Sequence, residues 1–134
     1  MKAHAPSALR HLIAIYQHER DWHKAIEHAR RLEAMTGEDQ APTIAQFYCE
    51  LADRSRQHGA RAEAREYLQR AFACQPACVR AFMLTGQLEA EDGHHAASVD
   101  AYEAAIEADS AFLPGILPPL LASYARSHQM DRAE

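Results

Sequence analysis

Three cysteines, nine histidines and nineteen carboxylates are the side chains here that could hold a metal, attack a carbon or move a proton. Cys74 and Cys78 lie close enough in sequence to offer two thiolates to one ion. A structural zinc site takes four thiol or imidazole donors, however, and no second pair follows. His18, His23 and His28 recur every fifth residue, a spacing that walks around a helix instead of lining one face. His94 and His95 fall where a turn is expected and read as solvated. Glu89 and Glu91 read as the wet side of a helix. No glycine-rich phosphate loop, no His-Glu-x-x-His and no Gly-x-Ser-x-Gly occurs. No enzymatic activity, metal or cofactor is therefore expected of this segment, and Cys49 reads as a small core or groove residue.

The elements that must position these side chains are helices. Glycine and proline number only 5 and 6 among 134 residues. Alanine, leucine, glutamate, arginine and glutamine dominate, all favourable in helices. No run of β-branched residues argues for strands. The decisive signal is an internal period. Adding 34 to Tyr48, Leu51, Ala52, Gly59, Ala64, Leu68, Ala71 and Pro76 gives Phe82, Thr85, Gly86, Gly93, Ser98, Tyr102, Ala105 and Ser110. Large, small and turn-forming classes persist at most of these positions. Small residues at Ala52, Gly86, Ala64 and Ser98 let two helices cross closely, larger ones at Tyr48, Phe82, Leu68 and Tyr102 fill the space between them, and Gly59 and Gly93 close the turn.

This pattern resembles the tetratricopeptide repeat (TPR), a helical hairpin that stacks on its neighbours. The resemblance implies an all-α fold, a superhelical α-α solenoid of about three hairpins and a partial fourth. One domain then covers residues 1–134, with repeats at about 6–39, 45–78 and 79–112 and a partial unit at 113–134. The first unit carries Leu9, Leu12, Tyr16, Trp22, Ala25, Ala29 and Leu32 in phase, but has Ile13 at the small position and Arg20 in place of the turn glycine. Its hairpin is expected to pack slightly differently. Residues 40–44 exceed the period, and Pro42 and Thr43 read as a helix start. In the last unit Leu120, Leu121, Tyr124 and Ala133 are in phase, and Pro118 and Pro119 are expected in the first turn of its helix. This unit is expected to be cut mid-hairpin and to lack a polar cap, so that Leu117, Leu120, Leu121 and Met130 expose an apolar patch open to self-association.

Two stretches are more specific: Ala8-Leu9 through Ile15-Tyr16-Gln17 and Asp21-Trp22-His23-Lys24-Ala25-Ile26, and then Ile44-Ala45-Gln46-Phe47-Tyr48-Cys49-Glu50-Leu51-Ala52. Both, with their mutual spacing, resemble the bacterial lipopolysaccharide assembly protein B family. That resemblance implies a scaffold on the cytoplasmic face of the inner membrane. There it would help regulate lipopolysaccharide synthesis by presenting the deacetylase that commits precursor to lipid A to the membrane protease FtsH. The family's N-terminal transmembrane helix and C-terminal zinc module have no counterpart in these residues, so anchoring and zinc binding do not carry over.

A stacked array offers a concave wall built from the first helix of each hairpin. The family's groove-facing positions, carried onto this chain, are Ser7, Arg10, Ala14, Gln17 and His18; then Gln46, Cys49, Asp53, Arg56 and Gln57; then Arg80, Met83, Gln87, Ala90 and Glu91. From this set Arg10, Gln17, Gln46, Cys49, Asp53, Arg56, Gln57, Arg80, Met83, Gln87 and Glu91 are the candidate contacts for a protein or peptide partner. The Lys and Asn clamp with which chaperone-binding members hold a terminal carboxylate is not reproduced. Arg10, Arg56 and Arg80 could still grip acidic groups, or be simply solvated. A non-catalytic repeat segment of an N-acetylglucosaminyltransferase-like enzyme and a general peptide-binding module remain alternatives. Flanking sequence would separate them.

Charge and composition exclude other classes. A formal charge of −5 argues against a nucleic-acid backbone as partner. Protonating all nine histidines would carry it to +4, so partner affinity could depend on pH between about 5 and 7. An odd, sparse set of cysteines suits a reducing compartment, the cytosol by default. The longest mostly apolar stretch, 112–122, is too short to span a bilayer and holds three prolines, so no direct membrane contact is expected of this segment.

Overall fold

The computed structural model describes residues 5–133, with side chains described through residue 128. The helices are α1 (Pro6–His18), α2 (Trp22–Thr36), α3 (Ala41–Gln57), α4 (Arg61–Cys74), α5 (Val79–Glu91), α6 (His95–Ala108) and α7 (Leu113–Ala133), with one 3-10 turn at Ser110–Phe112. No strand occurs among the described residues.

Three tight turns fold these helices into hairpins, α1 on α2, α3 on α4 and α5 on α6. The turns share one hydrogen-bond pattern. Asp21, Ala60 and His94 donate their backbone N–H to the carbonyls of Tyr16, Ser55 and Glu89, each at 2.8 Å, and the residue just before each donor is left-handed. This is the Schellman closure, which caps the orphan carbonyls at a helix end. Gly59 and Gly93 take that conformation at φ 78° and 82°. Arg20 takes it too, at φ 60°, although a side chain there costs roughly 1–2 kcal/mol. The turn is thus conserved in geometry without its glycine, and the Arg54 guanidinium donates to the Arg20 carbonyl at 2.6 Å.

The five residues beyond the period lengthen the second hairpin's first helix. Pro42 sits in the first turn of α3, where its missing N–H costs nothing. Ile44, Ala45 and Phe47 are then buried, with Phe47 packed at 5.7 Å on Trp22 across the boundary between the first two hairpins. Within the third hairpin, Gly86 faces the Tyr102 ring so closely that a Cβ would fall 2.7 Å from its Cζ. Ser98 donates its hydroxyl to the Gly86 carbonyl at 2.7 Å and therefore accepts from Ser123 of α7 at 2.9 Å. One core runs from α1 to α5. A second, around Tyr102, Ala105 and Ile116, joins α6 to α7.

Helix α7 departs from the expectation for its prolines. Asp109 accepts from the Ala111 amide at 2.9 Å, and the 3-10 turn runs straight into a helix that begins at Leu113. Pro118 and Pro119 therefore lie inside the helix, not in its first turn. Their ring nitrogens cannot serve the carbonyls of Pro114 and Gly115, but both residues are exposed, so water can. Leu113, Leu117, Leu121 and Tyr124 are exposed, whereas Leu120 packs partly on the second core. The Met130 side chain lies outside the described residues.

Candidate functional groove

Helices α3 and α5 lie side by side, and α7 stands opposite them across a groove of about 940 Å³. Its wall carries Gln46 from α3 and Val79, Arg80, Met83, Leu84 and Gln87 from α5. The opposite side is Tyr102 of α6, Asp109, Phe112 of the 3-10 turn, and Pro119 of α7. The result is an apolar trough with amide side chains along its length. Such a surface can bury one or two apolar side chains of a guest while Gln46, Gln75 and Gln87 bond the guest's backbone.

A second cleft, about 610 Å³ and mostly polar, opens between α1 and α3. Gln17, His18 and Arg20 line one side; Glu50, Asp53, Arg54 and Gln57 line the other, with Trp22 at its base. It continues the same wall toward the N-terminus.

The candidate contacts separate into three groups. Gln46, Arg80, Met83 and Gln87 line the apolar trough, and Gln17, Asp53 and Gln57 line the polar cleft. Arg10, Arg56 and Glu91 line neither; Arg10 pairs with Glu38 at 2.8 Å, and Arg56 pairs with Glu91 at 2.8 Å. Cys49 is the exception to the carried-over register. It is wholly buried, because α3 turns that position toward Cys78 at the start of α5 and away from the groove surface. Tyr102, Phe112 and Pro119 also line the groove and lie outside the set that the repeat register gives. Tyr102 was legible only as a spacer between helices, and Phe112 reaches the groove through a 3-10 turn that no period predicts.

The arginines are not free cations. Arg80 makes a forked pair with Glu50, at 2.9 and 3.0 Å, and reaches Asp53 at 4.0 Å. Arg56 bonds Asp53 at 2.9 Å as well as Glu91. Arg61 continues the chain from Glu91 to Asp92, and Arg65 from Asp92 to Glu89. This ladder of alternating charge ties the second hairpin to the third along the rim. Burial pulls the Asp92 carboxyl up, but hydrogen bonds from Arg65 and Arg61 outweigh it and hold it below the ordinary range. The hydrogen bond to Glu50 likewise raises Arg80. Glu89, Asp92 and His94 bring donor atoms within 4.8 Å of one another. Arg65 already bridges both carboxylates, so a cation would have to displace a guanidinium.

Cys78 is brought to Cys49, 3.9 Å between sulfurs, and not to its sequence neighbour Cys74. No helix among the described residues is long and apolar enough to cross a membrane.

No family model matches the chain. It is 33% identical over 130 residues to lipopolysaccharide assembly protein B of Haemophilus influenzae, covering 97% of this chain and 33% of that protein. It is 30% identical over 117 residues to the protein of the same name in Escherichia coli K12, covering 87% of this chain and 30% of that one. The chain thus spans about a third of the length of these relatives. Among solved structures it is similar to the TPR2B domain of yeast Sti1 in its pHsp70 complex, with a TM-score of 0.57 and 19% identity over 92% of this chain and 97% of that one.

Proposed function

Because the chain is a tetratricopeptide-repeat protein resembling lipopolysaccharide assembly protein B, we propose that it is a non-catalytic interaction scaffold in lipopolysaccharide assembly. In this reading an extended protein segment lies in the groove between α3, α5 and α7. The observation that carries it is the composition of that groove: an apolar floor of Val79, Met83, Leu84 and Phe112 with the amides of Gln46 and Gln87 beside it. Amide side chains pair with peptide N–H and C=O groups, and the floor takes an aliphatic or aromatic anchor. The rim arginines, neutralised by Glu50, Asp53 and Glu91, set the second hairpin against the third instead of gripping an acidic tail.

The finer reading places this groove on the cytoplasmic face of the inner membrane, where the longer protein presents the lipid A pathway deacetylase to the FtsH protease. Reversing Arg56 or Arg80 is a poor test of it, since each change would set a carboxylate against those it now pairs with. Met83→Glu is better: it places a charge over the apolar floor with little effect on the helix. Capture of the deacetylase by this chain should weaken at least about 10-fold, with circular dichroism unchanged. Arg10→Ala, outside both clefts, should leave capture as it was. Undiminished capture by Met83→Glu would remove the groove from the mechanism.

A further inference from the structure

The buried sulfurs of Cys49 and Cys78 belong to no part of the groove's contact surface. Cys49 lies in α3, and Cys78 is the residue that caps the N-terminus of α5. They are 0% and 1% exposed, and their sulfurs lie 3.9 Å apart. The repeat does not require thiols at these places, since the positions one period on are Met83 and Phe112. Two buried small residues could have been alanines. Instead the chain brings two thiols together across the junction of the second and third hairpins.

We infer that Cys49 and Cys78 form an oxidisable dithiol site that a hydroperoxide converts to a disulfide, stapling α3 to the start of α5 behind the groove. Closure needs the sulfurs to approach from 3.9 Å to about 2.05 Å, a shift that χ1 rotation and a small helix displacement can supply. The two cysteines have distinct roles. A hydrogen bond from Cys49, the backbone amides of Ala81 and Arg80, and the Arg80 guanidinium together lower Cys78 below the ordinary thiol range, against the opposing effect of burial. Cys49 is pushed far up by its hydrogen bond to Cys78 and by burial. The pair therefore loses one proton readily, at Cys78, and a second only with difficulty, because two thiolates this close in a buried place repel.

The chemistry balances with the peroxide as the two-electron oxidant. The Cys78 thiolate attacks one peroxide oxygen, the O–O bond breaks, and the departing alkoxide or hydroxide takes a proton, leaving Cys78 as a sulfenic acid. The Cys49 sulfur then displaces water from it, its own proton leaving with the hydroxyl, and the S–S bond forms. The route in is the groove. Gln46 lies on the groove wall, and its amide donates to the Cys78 sulfur at 3.7 Å, so one exposed, rotatable side chain separates the thiol from solvent. Cys74, half-buried and raised chiefly by burial, has no thiol partner in the structure and serves as an internal control.

Treating the reduced chain with hydrogen peroxide and mapping its peptides without reduction tests the site. The expected product is one intramolecular link between the peptides bearing Cys49 and Cys78, with Cys74 still open to alkylation. The melting temperature should rise by roughly 5–10 °C and return on addition of dithiothreitol. In Cys49→Ala, Cys78 should stop at a sulfenic acid that a 1,3-dicarbonyl reagent traps. In Cys74→Ser the link should form as before. A Cys74–Cys78 link, predominantly intermolecular disulfides, or Cys78 inert to peroxide in both the parent chain and Cys49→Ala would each overturn the inference.

Discussion

Gly86→Ala sets two forces of known direction against each other. Alanine is the better helix former, by about 0.5–1 kcal/mol in a helix interior. The added methyl, however, would lie 2.7, 2.8 and 2.9 Å from Cζ, Cε1 and Cε2 of Tyr102, where carbon atoms rest at about 3.5–4 Å. The ring is 4% exposed, and the same junction is pinned by the Ser98 hydroxyl on the Gly86 carbonyl. Overpacking of this kind costs about 1–3 kcal/mol, so the balance should be a net loss of about 0.5–2 kcal/mol. Thermal unfolding should fall by about 3–8 °C. Because the ring's open side is the groove, relief by tilting it would also narrow the groove. Tyr102→Leu removes the atoms that clash, so a double-mutant cycle should show a coupling of about 1 kcal/mol, with the methyl far better tolerated beside leucine. A melting temperature that rises in Gly86→Ala, or strict additivity in the cycle, would show that the small residue at this crossing is not set by the ring.

Arg20→Gly should stabilise the chain by about 0.5–1 kcal/mol, since relief of the left-handed strain exceeds the added entropy of the unfolded chain. The Arg54 hydrogen bond goes to a backbone carbonyl and survives the change. A urea midpoint that stays or falls would contradict this. The charge ladder predicts an acid limb. Asp92 is held below its unfolded value, so its contribution is present above about pH 4 and is lost as pH falls through the lower folded value. In Asp92→Asn, stability plotted against pH should be flatter in that range, and molar salt should narrow the difference between the two chains. Identical acid profiles would assign the acid sensitivity elsewhere.

Much of the fold is legible in residue order because a tandem repeat is specified locally. The period, the small residues at Gly86 and Ser98 and the turns at Gly59 and Gly93 each depend on neighbours within one hairpin, and each carries its reason in the residue type. The groove is less legible. Gln46, Met83 and Gln87 follow from the register, but Phe112 and Pro119 enter from a 3-10 turn and a helix that begins before its prolines. The first turn shows the limit from the other side: Arg20 argues against a left-handed residue, yet the closure of the turn onto the Tyr16 carbonyl adopts one.

Residue types alone offered Cys74 and Cys78 as neighbouring thiols short of a metal site, and left Arg56 and Arg80 open between gripping acidic groups and simple solvation. Packing between hairpins adds partners that spacing does not show. Cys78 meets Cys49, and the arginines meet Glu50, Asp53 and Glu91. Apart from Arg56 and Asp53, which stand one turn apart on α3, these partners occupy different positions in their repeats and come together only through the angle at which one hairpin sits on the next. A period states which residues are equivalent. It does not state which inequivalent ones touch, because that depends on side-chain volumes summed over a whole interface, and those act only once the chain has folded.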